Sequence, residues 1–200
     1  MGLVSHFRVR LAFRPRDQKP ETKGEASLPM TEPIGQTKPI VIAGFGRVGQ
    51  NIAQGLQDVG LAYGVIEIDP ELVSNLQCDG IACIYGDASN AHVLLRADLA
   101  KAKVLVVTFP DPLAVVTTVK NALAINPNLR IVARVHRIRE AEFLKKLGGE
   151  ELISPEYEAS LEFIRRTLSA VGWRKSDVKQ AISTIEENEE IAEFTPEQEE

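Results

Sequence analysis

Residues 44–49, Gly-Phe-Gly-Arg-Val-Gly, place three glycines at the spacing G-x-G-x-x-G. They follow the apolar run "PIVIA" and precede a helical pattern, the setting in which this spacing cradles a pyrophosphate. Gly44 permits the tight turn, Gly46 lets backbone approach the pyrophosphate, and Gly49 lets helix pack close to strand. The helix that follows offers free N–H groups and a partial positive charge at its N-terminus. An acid near the end of the next strand should hold the ribose. Glu67 in "VIEID", eighteen residues after Gly49, fills that place, and its carboxylate can accept both ribose hydroxyls. No arginine follows it to meet a 2′-phosphate, so NADP is disfavoured. Asp69 reads as a helix N-cap rather than a ligand. Arg47 is unexpected in a turn of small residues. Its guanidinium can reach a phosphate, reach a ligand held by a facing subunit, or stand in solvent without a role.

Other reactive types are arranged less suggestively. Hydride transfer needs a substrate site and usually a proton donor, for which Tyr-x-x-x-Lys is one pattern. Tyr63, Tyr85 and Tyr157 are followed four residues on by Glu67, Ser89 and Leu161, so none fits. His6, His92 and His136 read as solvated or capping side chains, and no Ser-His-Asp arrangement is visible. Cys78 and Cys83, four residues between them, lack a second Cys or His pair to complete a zinc site. They read as reduced thiols of a cytoplasmic protein. No catalytic and no metal-binding residue is assigned.

The elements that must position the glycine loop recur along the chain. "PIVIAG", "AYGVIEID", "IACIYG", "KVLVVTF", "LRIVARV" and "ELISP" are six short apolar runs. Helical patterns stand between them, the first with Val48, Ile52, Leu56 and Val59 at helical spacing. Continuous Val/Ile strands alternating with helices imply a parallel sheet covered on both faces. Right-handed crossovers then give an α/β, Rossmann-like doubly wound sheet of about six strands. A long helix, "EYEASLEFIRRTLSAVG", and a polar helical tail follow. In the long helix Leu161, Ile164, Leu168 and Val171 form a stripe that suits either a core or a dimer seam.

Composition bounds the class. A chain of 200 residues with 44% hydrophobic and 26% charged residues suits one globular domain with tails. The formal charge of −5 gives no broad attraction to nucleic acid. Residues 1–37, with six Lys/Arg and four Asp/Glu, are basic and hold a Pro-rich linker at 15–37. Before that linker, "SHFRVRLAFRPR" alternates apolar and basic residues and suits a short strand, a membrane-skimming segment or a remnant of something upstream. Residues 174–200, with three Lys/Arg and nine Asp/Glu, are an acidic tail. No run of about 18 apolar residues suggests a membrane span, and no signal peptide or myristoylation signal is read at the start. The expected divisions are 1–37 as N-terminal segment and linker, 38–154 as nucleotide-binding domain, 155–173 as long helix and 174–200 as tail.

In order, "IVIAGFGRVGQ", "GVIEIDPELV", "IYGDAS", "VVTFPDP", "IVARV" and "ISPEYEASLEFIRRTLSAVG" resemble the TrkA-N or RCK (regulator of potassium conductance) domain. The resemblance is greatest to the cytoplasmic domain of Kef-type cation:proton antiporters and covers about 38–173. It implies an adenine nucleotide over the glycine loop and ribose on Glu67. It also places Asp87 and Ala88 beside the adenine, the loop Thr108 to Asp111 on the phosphate side, and Arg134 as a basic position ending the fifth strand. Asp87 reads equally as a helix N-cap, and Arg134 as one half of a surface salt bridge. The expected cofactor-binding set is therefore Gly44, Phe45, Gly46, Arg47, Val48, Gly49, Glu67, Ile68, Asp87, Ala88, Thr108, Phe109 and Arg134, for NAD(H) or an adenine nucleotide such as AMP, ADP or ATP.

The resemblance further implies a homodimer or larger ring through helix 155–172, and a membrane cation transporter or antiporter as partner. The chain would then lie in the cytoplasm against the inner face of the membrane. Arg47 and Arg165 stand at places matching arginines that act in glutathione gating of Kef-type relatives. The asparagine those relatives carry after the long helix has no match in "RKSDVKQAISTIEENEE". Two functions are expected to compete: a nucleotide-gated regulatory module for potassium transport, and a small NAD-dependent oxidoreductase. A third reading is a scaffold that binds nucleotide for stability alone.

Overall fold

The computed structural model describes Ile34 and residues 38–136, 138–149 and 151–194. The basic N-terminal segment and linker expected over 1–37 lie outside the described residues except for Ile34.

Six parallel strands alternate with helices. They are β1 (Ile40–Ala43), β2 (Tyr63–Glu67), β3 (Cys83–Tyr85), β4 (Val104–Val107), β5 (Arg130–Arg134) and β6 (Glu151–Ile153). The helices are α1 (Arg47–Asp58), α2 (Pro70–Cys78), α3 (Ala91–Arg96), α4 (Pro112–Ile125), α5 (Ile138–Leu147), α6 (Pro155–Ala170) and α7 (Lys175–Phe194). A 3₁₀ turn, Leu99–Lys101, precedes β4. Strand order is β3-β2-β1-β4-β5-β6, every pair parallel. This is the doubly wound arrangement expected from the alternating runs. The chain reverses direction of travel across the sheet between β1 and β4, which pair from Ile40↔Val104 to Ala43↔Val107.

Side-chain alternation divides the core between the two faces. Val41 and Ala43 of β1 and Ile66 of β2 pack with Leu94, Val119 and Leu144 from α3, α4 and α5. Ile42 and Val65, one residue out of phase, pack with Ala53, Val73 and Leu76 from α1 and α2. On α1 the expected stripe is only partly right. Gly49 and Ala53 form its buried contact, Ile52 and Leu56 are half-buried, and Val59 is 69% exposed. Small residues draw the helix in so far that the larger ones are left at its flanks.

Four helices stop by the same device. A leucine carbonyl accepts from the N–H five residues on, at Leu56, Leu76, Leu144 and Leu168, and the residue four on is Gly60, Gly80, Gly148 or Gly172 at positive φ. This is the Schellman end, in which glycine adopts the left-handed conformation without steric cost. Helix starts are as deliberate. Asp69, Asn90, Asp111 and Ser154 each accept a backbone N–H from the first turn of α2, α3, α4 and α6. Asp69 is thus the N-cap expected. Asp87 is not one: Asn90 caps α3, while Asp87 Oδ1 accepts from Ser89 N at 2.8 Å in the turn before it.

Ile34 enters the core from the N-terminal side. It is 1% exposed, and a Cβ on Gly64 would lie 2.8 Å from its Cβ. Glycine on β2 thus makes the socket into which Ile34 fits.

After β6, α6 and α7 pack on one another. Leu161 of α6 and Val178 and Ile182 of α7 are buried; Ile164 and Leu168 are half-buried, while Phe163, Val171 and Trp173 are 73%, 69% and 51% exposed. The stripe read from the sequence is therefore split, Leu161 inward and Val171 outward. Among the described residues no helix is long and apolar enough to cross a membrane.

Candidate functional site

The strand order places a crevice at the carboxyl ends of β1 and β4, where doubly wound sheets bind ligands. A cleft of about 890 Å³ lies there. Eleven of the thirteen expected residues line it: Gly44, Gly46, Arg47 and Val48 from the first loop and helix; Glu67 and Ile68 from the end of β2; Asp87 and Ala88 after β3; Thr108 and Phe109 after β4; and Arg134 at the end of β5. Phe45 and Gly49 lie beneath the loop instead.

The three loop glycines differ in what requires them. Gly44 has φ +91°, and a Cβ there would meet Thr108 Oγ1 at 2.9 Å. A Cβ on Gly49 would lie 2.3 Å from the Gly44 carbonyl oxygen, so α1 could not approach the loop. Gly46 has φ −67°, open to any residue, and a Cβ there would meet no atom of a described residue within 4 Å. Neither backbone strain nor packing demands glycine at this third position.

The start of α1 is set apart from its neighbours. Gly46 is its N-cap, no side chain caps it, and its first turn holds no acid. Arg47, the first helical residue, is exposed and makes no hydrogen bond or ion pair with a described residue. A cation at a helix N-terminus is opposed by the helix dipole by roughly 0.3–1 kcal/mol. Free N–H groups and an unpaired guanidinium together make the loop a receptor for anions.

Glu67 is 7% exposed and more engaged than the sequence suggests. Its Oε2 accepts from Phe45 N at 2.5 Å, and its Oε1 from Ile68 N at 2.7 Å and Asp69 N at 3.0 Å. A carboxylate offers about four lone-pair sites. Three hold backbone in place, so one site on Oε2 remains for a ribose hydroxyl, where the sequence suggested two. The carboxylate thus ties the glycine loop to the end of β2 as well as bordering the cleft. Thr108 is also turned inward: its hydroxyl lies 2.9 Å from the Gly44 carbonyl and 3.2 Å from that of Ala43, and one proton serves both. It pins the loop to β4.

Arg134 borders the cleft and also holds the ion pair anticipated for it. Its Nη2 is 2.5 Å from Glu156 Oε1 near the start of α6, and its Nε is buried without a hydrogen-bond partner among the described residues. His136 Nδ1 stands 3.7 Å from the other Glu156 oxygen. The Glu156 carboxyl is held below its ordinary value of 4.5, first by its own backbone N–H and next by Arg134.

Asn51, Leu72 and Pro155 also line the cleft and were not anticipated. Asn51 had a readable signal, standing one helical turn after Arg47 and so on the same face of α1. Leu72 and Pro155 had none, because only the tertiary fold brings α2 and α6 to the crevice. Among the described residues lining the cleft there is no His, Tyr, Cys or Lys. No cluster of three metal-ligating side chains exists among the described residues.

Residues 40–155 match the model of the TrkA-N domain. The chain belongs to the TrkA-N domain family. A curated relative, the glutathione-regulated potassium-efflux system protein KefC of Enterobacter sp. (strain 638), is 32% identical over 133 residues, 66% of this chain and 21% of KefC. The chain spans about a fifth to a quarter of the length of the curated relatives it matches. The TrkA-N domain of the inner membrane protein ybaL from Escherichia coli superimposes with a TM-score of 0.60 at 28% identity, over 67% of this chain and 96% of that one. The Kef C-terminal domain of Shewanella denitrificans, in AMP-bound form, gives 0.68 at 23% identity over 77% and 94%. That last likeness is one of fold.

Of the two arginines matched to glutathione gating, Arg47 of this TrkA-N domain is in the cleft. Arg165 is elsewhere, on α6. It pairs with Glu162 and lines a groove of about 480 Å³ between α6 and α7 together with Lys175 and Lys179.

Proposed function

We propose that the cleft binds an adenine nucleotide, AMP, ADP, ATP or NAD(H), and that binding regulates a membrane transporter of monovalent cations, potassium among them. The observation that carries this reading is Gly46. Nothing among the described residues needs a glycine there, yet it stands at an uncapped helix N-terminus beside an arginine that no described residue pairs with. A phosphate seated on those N–H groups supplies the missing reason, since a side chain would occupy its approach. Glu67 then takes one ribose hydroxyl, and Ala88 and Ile68 flank the base. The potassium-efflux role of the KefC relative supports the transporter, and the AMP held by the Kef domain of Shewanella denitrificans supports the class of ligand.

The reading is of a sensor rather than an oxidoreductase, because the described residues lining the cleft include no His, Tyr or Lys to serve as its proton donor. We place the chain at the inner face of the membrane through its transporter, as a dimer joined along the exposed side of α6. Glutathione or its adducts, taken as second ligands, find three basic side chains around the α6–α7 groove.

Calorimetry of the full chain with AMP, ADP, ATP and NADH tests the proposal. Binding is expected in wild type, with a loss of about tenfold or more, or roughly 1.4 kcal/mol per decade, in Gly46→Val. Circular dichroism and melting of that variant should match wild type. Absence of heat at millimolar nucleotide, or sustained oxidation of NADH with a carbonyl or quinone panel, overturns it.

A further inference from the structure

Arg134 belongs to two parts of the molecule at once. It lines the cleft, and it holds Glu156, the second residue of α6, at 2.5 Å. Pro155, the first residue of α6, lines the cleft beside it. The start of α6 is thereby a wall of the ligand site, held to β5 by a charge pair. The pair is incomplete: Nε of Arg134 is buried and donates to no described acceptor. A guanidinium has five donors in a rigid fork, and it binds phosphate bidentately as readily as carboxylate. A phosphate in the cleft and the Glu156 carboxylate are competing anions for one cation.

Farther along, α6 is held loosely to the sheet. Leu161 is its one fully buried residue, and its main packing is on α7. Among the described residues, Glu156 pairs with Arg134 and stands near His136, both from the end of β5. Withdrawing Arg134 from Glu156 therefore removes a charge that ties the first turn of α6 to the end of β5.

We propose that Arg134 is a switch arm that exchanges Glu156 for the phosphate of the bound nucleotide, so that occupancy of the cleft releases the first turn of α6. This rests on the cleft being a nucleotide site. A ligand shifts an equilibrium only by its differential interaction with the two states, and the exchange supplies that difference. Coupling is reciprocal, so removing Glu156 must tighten nucleotide binding.

The chain carries a reporter, since its single tryptophan, Trp173, closes the end of α6 with its backbone N–H on the Leu168 carbonyl. The experiment titrates AMP into wild type, Glu156→Gln and Arg134→Lys, reading heat and Trp173 emission. AMP is expected to shift the emission of wild type. Glu156→Gln should bind AMP about fivefold or more tighter, a coupling of at least ~1 kcal/mol. Without AMP it should already show the emission of saturated wild type. Arg134→Lys, which keeps the charge and loses the fork, should bind AMP more weakly and give a smaller emission change at saturation. Glu156 is exposed and outside the cleft, so folding of its variant is checked by circular dichroism, with Glu156→Ala as the second form. Equal AMP affinity and an equal emission change in wild type and both Glu156 variants overturn the switch while leaving the nucleotide site intact. No heat from wild type with AMP overturns the site and the switch together.

Discussion

At the scale of single residues, similar types in this chain have different work. Cys78 is exposed at the end of α2, whereas Cys83 is buried in β3. Burial first, and the Glu67 charge second, push the Cys83 thiol up to about 12 from 9.0. The thiolate is the nucleophile, so a thiol reagent at pH 8 should modify one cysteine in the native protein and two after denaturation. Rapid modification of both natively would contradict the burial of Cys83. The pH dependence has a definite sign. The folded state keeps the proton that the unfolded state gives up, so Cys83 contributes its stability below pH 9, and that contribution falls as pH rises toward 12. Melting temperature should therefore decline over that interval, and a Cys83→Ser control should decline less.

Much of the site could be read from residue types. Gly44, Gly46 and Gly49 announce the loop, and Glu67 stands at the expected distance because β2 must end near β1. The remainder depends on hydrogen bonds that no spacing encodes. Three backbone N–H groups converge on Glu67, and the Thr108 hydroxyl turns to the loop carbonyls rather than the cleft. The Arg134–Glu156 pair joins residues 22 apart across two elements, where sequence distinguishes a free arginine from a paired one poorly.

At the scale of elements, runs of Val and Ile made the sheet legible, since strands buried on both faces must be apolar throughout. The helices were less so. A stripe of large residues was expected to bury α1, yet Gly49 and Ala53 make its contact, because a helix crossing a phosphate loop must come close. On β2 the fit is equally tight. Ile34→Ala should leave a cavity beside Gly64 and destabilise the protein by about 2–5 kcal/mol, read by urea unfolding. A change below ~0.5 kcal/mol would show that the socket collapses without loss.

At the scale of the whole molecule, apolar surface is unevenly distributed. Phe163, Val171 and Trp173 are exposed on and just beyond α6 while Ile164 and Leu168 are half-buried. Sedimentation should find a dimer at micromolar concentration, and Phe163→Glu should shift it to monomer with an unchanged circular dichroism spectrum. A wild type that stays monomeric at every concentration tested would remove α6 as the seam.

Ile34 also sets how the chain could receive force. The plug sits over Gly64, and Gly64 is three residues from Glu67 on the same strand. Tension applied anywhere before Ile34 is delivered to the flank of β2, not to the first residue of β1. Strands are stiff along their length, so a tug at that flank and whatever fills the cleft at the far end of β2 act on the two ends of one short rod.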